Sequence, residues 1–343
     1  MSDAAAEPEV VLERRGRVAE IALNRPRAIN ALTREMVIEI GTALEEWAAD
    51  DEVQTVLLTG RGERGLCAGG DIVSLYRDMR DGDGSASEAF WRAEYRLNAA
   101  IGRYPKPFVA IMDGVTLGGG VGLSGHASIR VVTERSKVGM PETSIGYVPD
   151  VGGTWLLAHA PGGLGRYLGM TARHMGAADA ILTGFADHFV PSARLPELFA
   201  ELETTDAGAA VARYAEEPPP GRLEAARSWI DAAFSAPTAS EIVARLRADA
   251  GNADALEAAD AICANSPTTV SVTLEALRRA ATLPDLEAAL EQELRVSLHA
   301  LSTWDFREGI RARLIDKDGS PEWRPASLDE VDAAEVAAYF RKP

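Results

Sequence analysis

Apolar positions in the first two hundred residues follow two rhythms. VQTVLLTG (53–60), PFVAIMDG (107–114) and SIRVVTE (128–134) are nearly continuous apolar runs, as in strands buried on both faces. VVLERRGRVAEIALNR (10–25) reads as a hairpin turning near Arg15 and Gly16. Between these runs the period becomes helical. In TREMVIEIGTALEEWAAD (33–50), Met36, Ile40, Leu44 and Trp47 share a face, with Thr33 at the start and Asp50 at the end. A further helix is predicted over about 86–102, and GGGVGLSGHA (118–127) opens a short one. Such alternation predicts an α/β fold with a largely parallel sheet and crossover helices.

After about residue 190 the strand rhythm stops. Residues 195–213, 222–235, 239–262 and 268–283 are rich in Ala, Glu, Arg and Leu with helical spacing, and EEPPPG (216–221) breaks the run as an exposed linker. The organisation predicted is an α/β core over 10–205 and a helical C-terminal region over 206–343, with no internal repeat.

Composition narrows the classes of function. A net charge of −17 over 343 residues opposes nonspecific binding to nucleic acid or anionic membranes. Phosphates can still be held by a local basic rim or by backbone N–H groups. Cys67 and Cys263 make neither a disulfide framework nor a metal motif, and the five His show no metal-ligand spacing, so no metal is expected. Residues 1–9, MSDAAAEPE, carry no basic or apolar leader, and no run of 18 apolar residues occurs. A cytoplasmic protein is the expectation.

Two glycine-rich stretches stand out, RGLCAGGDI (64–72) and TLGGGVGLSG (116–125), each after a buried strand. Glycines there allow backbone to approach a ligand, and N–H groups opening a helix favour developing negative charge. The bland reading is tight turns. Gly120, Gly122 and Gly125 also fit the dinucleotide spacing, but the next strand follows too soon for a crossover helix. Cys67 has no neighbouring His and reads as packing, and His126 reads as structural.

Taken together, NRPRAINAL (24–32), CAGGDI (67–72), PFVAIMDGVTLGGGVGLS (107–124), MPETSIGYVPDVGGT (140–154) and DFREGIRARLIDKDGSPEW (305–323) resemble the enoyl-CoA hydratase/isomerase (crotonase) superfamily over about 10–340. The resemblance implies a crotonase-like spiral of ββα units. Within that superfamily the chain is most similar to the 3-hydroxyisobutyryl-CoA hydrolases. Gly122 stands where hydratases carry a Glu, and Asp150 stands where they have a small residue. FWRAEYRLN (90–98) and LIDKDGSPEW (314–323) are hydrolase-like. An alkene-hydrating pair of carboxylates is therefore broken.

The resemblance implies that Glu142 is the catalytic carboxylate, acting on a thioester carbonyl as base or as nucleophile. It implies an oxyanion hole from the Gly70 and Gly119 N–H groups, and Asp150 as acceptor for a substrate 3-hydroxyl. Glu94 matches a further substrate-contacting acid. Ala68, Gly69 and Asp71 would line the bound acyl-CoA, and Arg25, Arg27 and Lys317 are candidates for its phosphates. Coenzyme A enters as part of the substrate, so no separate cofactor is implied. Trimers or hexamers are the assemblies expected of the superfamily.

Plainer roles compete. Glu142 could cap the next turn, Asp150 could cap the helix carrying Trp155, and Glu94 could sit at the edge of its apolar stripe. Against hydrolysis of a short 3-hydroxyacyl-CoA stand an enoyl-CoA hydratase or isomerase, and a non-catalytic acyl-CoA-binding protein.

Overall fold

The computed structural model describes residues 7–341. Residues 1–6 of the N-terminal segment, where no leader is expected, and the last two residues of the C-terminal region lie outside these.

β1 (Val10–Arg15) and β2 (Val18–Leu23) form the expected hairpin, and α1 (Arg34–Ala49) begins where Thr33 accepts a hydrogen bond from the Met36 N–H. β3 (Thr55–Gly60), α2 (Ile72–Asp81), α3 (Ser85–Gly102), β4 (Phe108–Met112), β5 (Val115–Leu117), α4 (Gly119–Ser124), β6 (Ile129–Val132) and β7 (Lys137–Gly139) follow. Next come a 3-10 turn at Glu142–Ile145, α5 (Gly153–His159), α6 (Leu164–Thr171), β8 (His174–Met175), α7 (Ala177–Leu182) and β9 (His188–Phe189).

Six strands in the order β1-β2-β3-β4-β6-β9 make the main sheet, parallel except for the β1–β2 hairpin. A smaller sheet, β5-β7-β8, lies beside it. The chain spirals between the two: β4 and β6 belong to the large sheet, and the strand after each, β5 and β7, belongs to the small one. Sequence reading missed α2 and the short strands of the small sheet. These strands are two or three residues long, too short for a period-2 pattern to show.

α8 (Leu195–Leu202) ends the core, and the C-terminal region holds α9 (Ala207–Tyr214), α10 (Leu223–Phe234), α11 (Ala239–Ala248), α12 (Ala253–Ala264), α13 (Pro267–Ala280), α14 (Leu286–Ala300), α15 (Trp304–Ile310), a π turn at Arg311–Ile315 and α16 (Ala333–Ala338). Two predicted helices are in fact pairs. The 195–213 stretch breaks where Asp206 caps α9, and the 239–262 stretch breaks where Asn252 caps α12. Helical periodicity persists across both breaks, which is why composition alone does not show them.

One apolar cluster runs through both regions, joining Ile21, Leu58 and Met112 to Val270, Val296 and Phe306. The C-terminal helices therefore pack on the α/β layers. α14 packs on α3 and α5, and α15 packs on the Glu142–Ile145 turn.

Candidate active site

Three backbone bridges bring the glycine stretches together. Leu32 pairs with Gly70, Cys67 pairs with Thr116, and the Gly118 N–H donates to the Gly139 carbonyl at 3.2 Å. Gly118 has φ +51°, a conformation that side chains resist. The result is a cavity of about 100 Å³ lined by Ala68, Gly69, Gly70, Gly118, Gly119, Glu94, Glu142 and Asp150, with apolar walls from Phe90, Trp91 and Ile145. Among the described residues, the Gly70 and Gly119 N–H groups donate to no carbonyl.

All three acids are buried, and all face this cavity. Glu142 opens the 3-10 turn but does not cap it, and its Oε2 is buried without a hydrogen-bond partner. A methyl group placed on Gly118 would lie 2.7 Å from Glu142 Oε1, so the carboxylate rests against the glycine loop. Glu94 is 2% exposed and its Oε1 has no partner; a methyl group on Gly119 would lie 2.6 Å from that atom and 3.2 Å from the Gly70 nitrogen. The stripe-edge reading of Glu94 therefore fails, since the side chain points from α3 into the cavity.

Asp150 is different. Its Oδ2 accepts a hydrogen bond from the Tyr95 hydroxyl at 2.6 Å and lies 3.1 Å from the Tyr147 hydroxyl. Asp150 does not cap α5. That task falls to Glu293 of α14, which accepts from the Gly152 N–H at 2.6 Å and the Thr154 N–H at 2.9 Å. The next residue, Val151, has φ +52°, a strained value for a β-branched side chain, and its carbonyl meets His126 Nε2 at 2.8 Å. His126 is thus structural, as expected, but what it supports is the site. Burial holds its pKa down at about 4.

The electrostatics separate the acids. Burial, aided by the Asp150 charge, raises the pKa values of Glu142 and Glu94 well above the carboxylate range. Asp150 is also pushed up by burial, but its tyrosine hydrogen bonds restrain it to about 6. Environments that drive neighbouring acids apart in this way suit them to different tasks. Cys67 is buried, and its thiol is raised to about 12, which fits packing and not nucleophilic chemistry.

The remaining predicted residues divide. Ala68 and Gly69 line the cavity. Asp71 lies behind it, capping α2 and pairing with Arg25 at 3.3 Å. Arg25 also pairs with Glu9 at 3.0 Å and donates to the Ala31 carbonyl, so its guanidinium serves as an internal clamp. Arg27 and Lys317 are exposed and pair with no carboxylate among the described residues. Tyr95, Tyr147, Glu293 and Ser297 were missed. The available signal was polar residues inside an apolar helical stripe: Glu293 and Ser297 lie one turn apart on the buried face of α14.

Gly122 explains a sequence departure. A methyl group there would lie 2.7 Å from Val151 Cβ and 2.9 Å from Asn98 Nδ2. No longer side chain fits without rearrangement.

Comparison with known proteins supports the family resemblance. The family model described as enoyl-CoA hydratase/isomerase matches residues 18–340. The chain is 39% identical to the mitochondrial 3-hydroxyisobutyryl-CoA hydrolase of Danio rerio over 99% of this chain and 91% of that one. It is 38% identical to the human enzyme of the same name over 98% and 89%. Among solved structures, a carnitinyl-CoA dehydratase from Mycobacterium thermoresistibile is 50% identical, with a TM-score of 0.94 over 98% of this chain and 97% of that one. An enoyl-CoA hydratase from Rhodobacter sphaeroides 2.4.1 is 45% identical, with a TM-score of 0.92 over 97% of each chain. The fold is the crotonase fold expected, and the chain belongs to the enoyl-CoA hydratase/isomerase family.

Proposed function

We propose that the chain hydrolyses the thioester of a short 3-hydroxyacyl-CoA, with 3-hydroxyisobutyryl-CoA, an intermediate of valine breakdown, as the preferred substrate. Its products are 3-hydroxyisobutyrate and coenzyme A. The observation that carries this reading is the asymmetry of the acids. Glu142 is buried and unpaired against the glycine loop, whereas Asp150 is fixed at one oxygen and turned to the same cavity.

In this reading Glu142 acts on the thioester carbonyl. As a base it takes a proton from the attacking water, and the C–S bond breaks as that proton passes to the departing coenzyme A thiolate. As a nucleophile it displaces the thiolate to form an anhydride, which water opens to the hydroxy acid and the free Glu142 carboxylate, the water proton ending on the thiol. Either route needs an ionised Glu142, and a raised pKa makes that group a stronger base near neutral pH. The tetrahedral oxyanion is received by the Gly70 and Gly119 N–H groups, where one such donor is typically worth roughly 100- to 1000-fold in rate. Asp150 accepts the substrate 3-hydroxyl, and Glu94 contacts the acyl group from α3. Arg27 and Lys317 are proposed to meet the phosphates of coenzyme A. Arg25 supports that rim indirectly through Asp71. Water is the second substrate, and the chemistry requires neither a metal nor a redox cofactor.

A second reading is hydration or dehydration, favoured by the names of the two structural neighbours. Against it stands Gly122, which leaves no room for the acid that hydratases place there. Thiol release from 3-hydroxyisobutyryl-CoA, followed with a thiol-reactive dye beside isobutyryl-CoA and crotonyl-CoA, separates the two. A site built around a hydroxyl rejects an analogue lacking it by up to roughly 10⁴-fold. The hydroxylated substrate is expected to lead, and Asp150→Ala to erase the lead. Loss of the crotonyl absorbance without thiol release would overturn the hydrolase reading.

No helix of the described residues is long and apolar enough to cross a membrane. The vertebrate relatives are named as mitochondrial. For this chain a cytoplasmic location and a homotrimer or homohexamer are proposed, from composition and family habit respectively.

A further inference from the structure

Behind Asp150 lie three hydroxyls, those of Tyr95, Tyr147 and Ser297, none more than 5% exposed. Ser297 comes from α14, deep in the C-terminal region. The Tyr147 ring packs in a triangle of aromatic rings with Trp91, at 5.7 Å between centroids, and Phe306, at 4.5 Å, which are themselves 6.4 Å apart. The oxygens make five contacts. Tyr147 to Ser297 is 2.5 Å, Tyr95 to Asp150 Oδ2 is 2.6 Å, and Tyr95 to Ser297 is 2.8 Å. Tyr147 to Asp150 Oδ2 is 3.1 Å and Tyr95 to Tyr147 is 3.5 Å.

Each hydroxyl carries one proton, and a carboxylate accepts without donating. Three protons cannot fill five contacts. The three shortest contacts form one continuous chain with a single consistent direction. Tyr147 donates to Ser297, Ser297 donates to Tyr95, and Tyr95 donates to Asp150. No side-chain donor among the described residues reaches Asp150 Oδ1, and Asp150 lines the cavity.

We propose that Tyr147, Ser297 and Tyr95 form a one-way hydroxyl relay that holds Asp150 as an ionised acceptor, with a single oxygen left for the substrate hydroxyl. The three are positioning residues that set selectivity for 3-hydroxyacyl substrates. This role rests on the hydrolase reading above for its substrate, but the relay itself does not. Aligned hydrogen bonds polarise one another, so the distal Ser297 strengthens the Tyr95 bond. The relay also gives the C-terminal region a part in specificity, since Ser297 belongs to α14.

The charged and titratable groups around Asp150 are Glu94 and Tyr95 from α3, Glu142 and Tyr147 from its own segment, and Glu293 from α14. Of these, the two tyrosines pull its pKa down. Removing Tyr95 therefore moves the ionisation of Asp150 to higher pH.

The test compares Tyr95→Phe, Ser297→Ala and Ser297→Thr with wild type on 3-hydroxyisobutyryl-CoA and isobutyryl-CoA across pH. Tyr95→Phe is expected to lower the kcat/KM ratio between the two substrates roughly 10- to 100-fold, the range for a hydrogen bond to a charged group. It is expected to shift the acid limb of the hydroxylated substrate's profile upward. Ser297→Ala gives a smaller change in the same direction, and Ser297→Thr restores the hydroxyl and the ratio.

A substrate-free readout accompanies this. The carboxyl infrared titration that disappears in Asp150→Asn is expected to move upward in Tyr95→Phe. If that titration stays in place in both Tyr95→Phe and Ser297→Ala, the relay is overturned. If it moves while wild type shows no preference for the hydroxyl, the relay stands and the substrate reading fails. Should Tyr95→Phe lose its fold by circular dichroism, Ser297→Ala carries the same two tests.

Discussion

The nine residues from Glu142 to Asp150 join two differently built ends. At the Glu142 end the carboxylate rests on glycine backbone with one oxygen unpartnered, and α15 closes over its turn. At the Asp150 end the carboxylate is anchored by Tyr95, with the Tyr147 hydroxyl 3.1 Å away, and the following backbone is pinned by Glu293 and His126. An unpaired buried carboxylate is unfavourable unless its surroundings hold it there. An anchored one is a preformed recognition element. The contrast assigns chemistry to the first end and recognition to the second, and two substitutions can break it.

Glu142→Gln carries the largest expected effect. Loss of a general base or nucleophile is expected to lower kcat by roughly 100- to 10,000-fold. Calorimetric titration with substrate is expected to show affinity nearly intact, because the amide keeps the volume. The same change relieves a buried charge, so thermal stability at neutral pH is expected to rise. Asp150→Asn is expected to raise it less, because hydrogen bonds from the tyrosines already restrain the Asp150 pKa to about 6 and that bonding is lost with the charge. If Asp150→Asn raised the melting temperature as much as Glu142→Gln, the proposed division of labour between the two ends would fall.

Smaller effects come from α15. A methyl group on Gly309 would lie 2.2 Å from the Ile145 carbonyl oxygen, and one on Gly146 would lie 2.1 Å from the Asp305 carbonyl oxygen. Helix and turn therefore touch backbone to backbone. Gly309→Ala is expected to destabilise by about 1–3 kcal/mol through overpacking. It also displaces the turn carrying Glu142, so kcat is expected to fall with little change in KM. A variant with wild-type kcat and an unchanged melting curve would show that α15 does not position Glu142.

The sequence made some of this plain and hid the rest for physical reasons. Glu142 and Asp150 were legible through the family resemblance that MPETSIGYVPDVGGT carries, while the residues alone left capping roles open for both. Gly70 and Gly119 were legible as loops after buried strands. The supporting residues were not. Glu293 and Ser297 lie about 150 residues beyond the segment they hold, and polar residues within an apolar helical stripe do not by themselves say what they meet. Only packing against α3 and α5 shows what that stripe faces. Arg25 illustrates the opposite error. A basic residue beside the glycine loop looked available for phosphate, but Glu9 and Asp71 already hold it. Local sequence shows that a charge is present, while the fold decides whether it is free.

The smallest effect expected tests the pinning of the Asp150 end. Burial raises Glu293 to about 8 from a usual 4.5, despite three hydrogen bonds that oppose the shift. Between these values the folded chain binds more proton than the unfolded chain at this group. By linkage, its contribution to stability is full below about 4.5 and declines as pH rises through about 8. The wild-type melting temperature is therefore expected to drop across that window. Glu293→Gln cannot ionise, and its amide nitrogen faces one of the two backbone donors, so it starts less stable at pH 5. Its melting temperature is expected to change less with pH, and the two curves to converge above pH 8. Parallel curves would mean that Glu293 is already ionised in the fold, with its hydrogen bonds from Gly152 and Thr154 outweighing its burial.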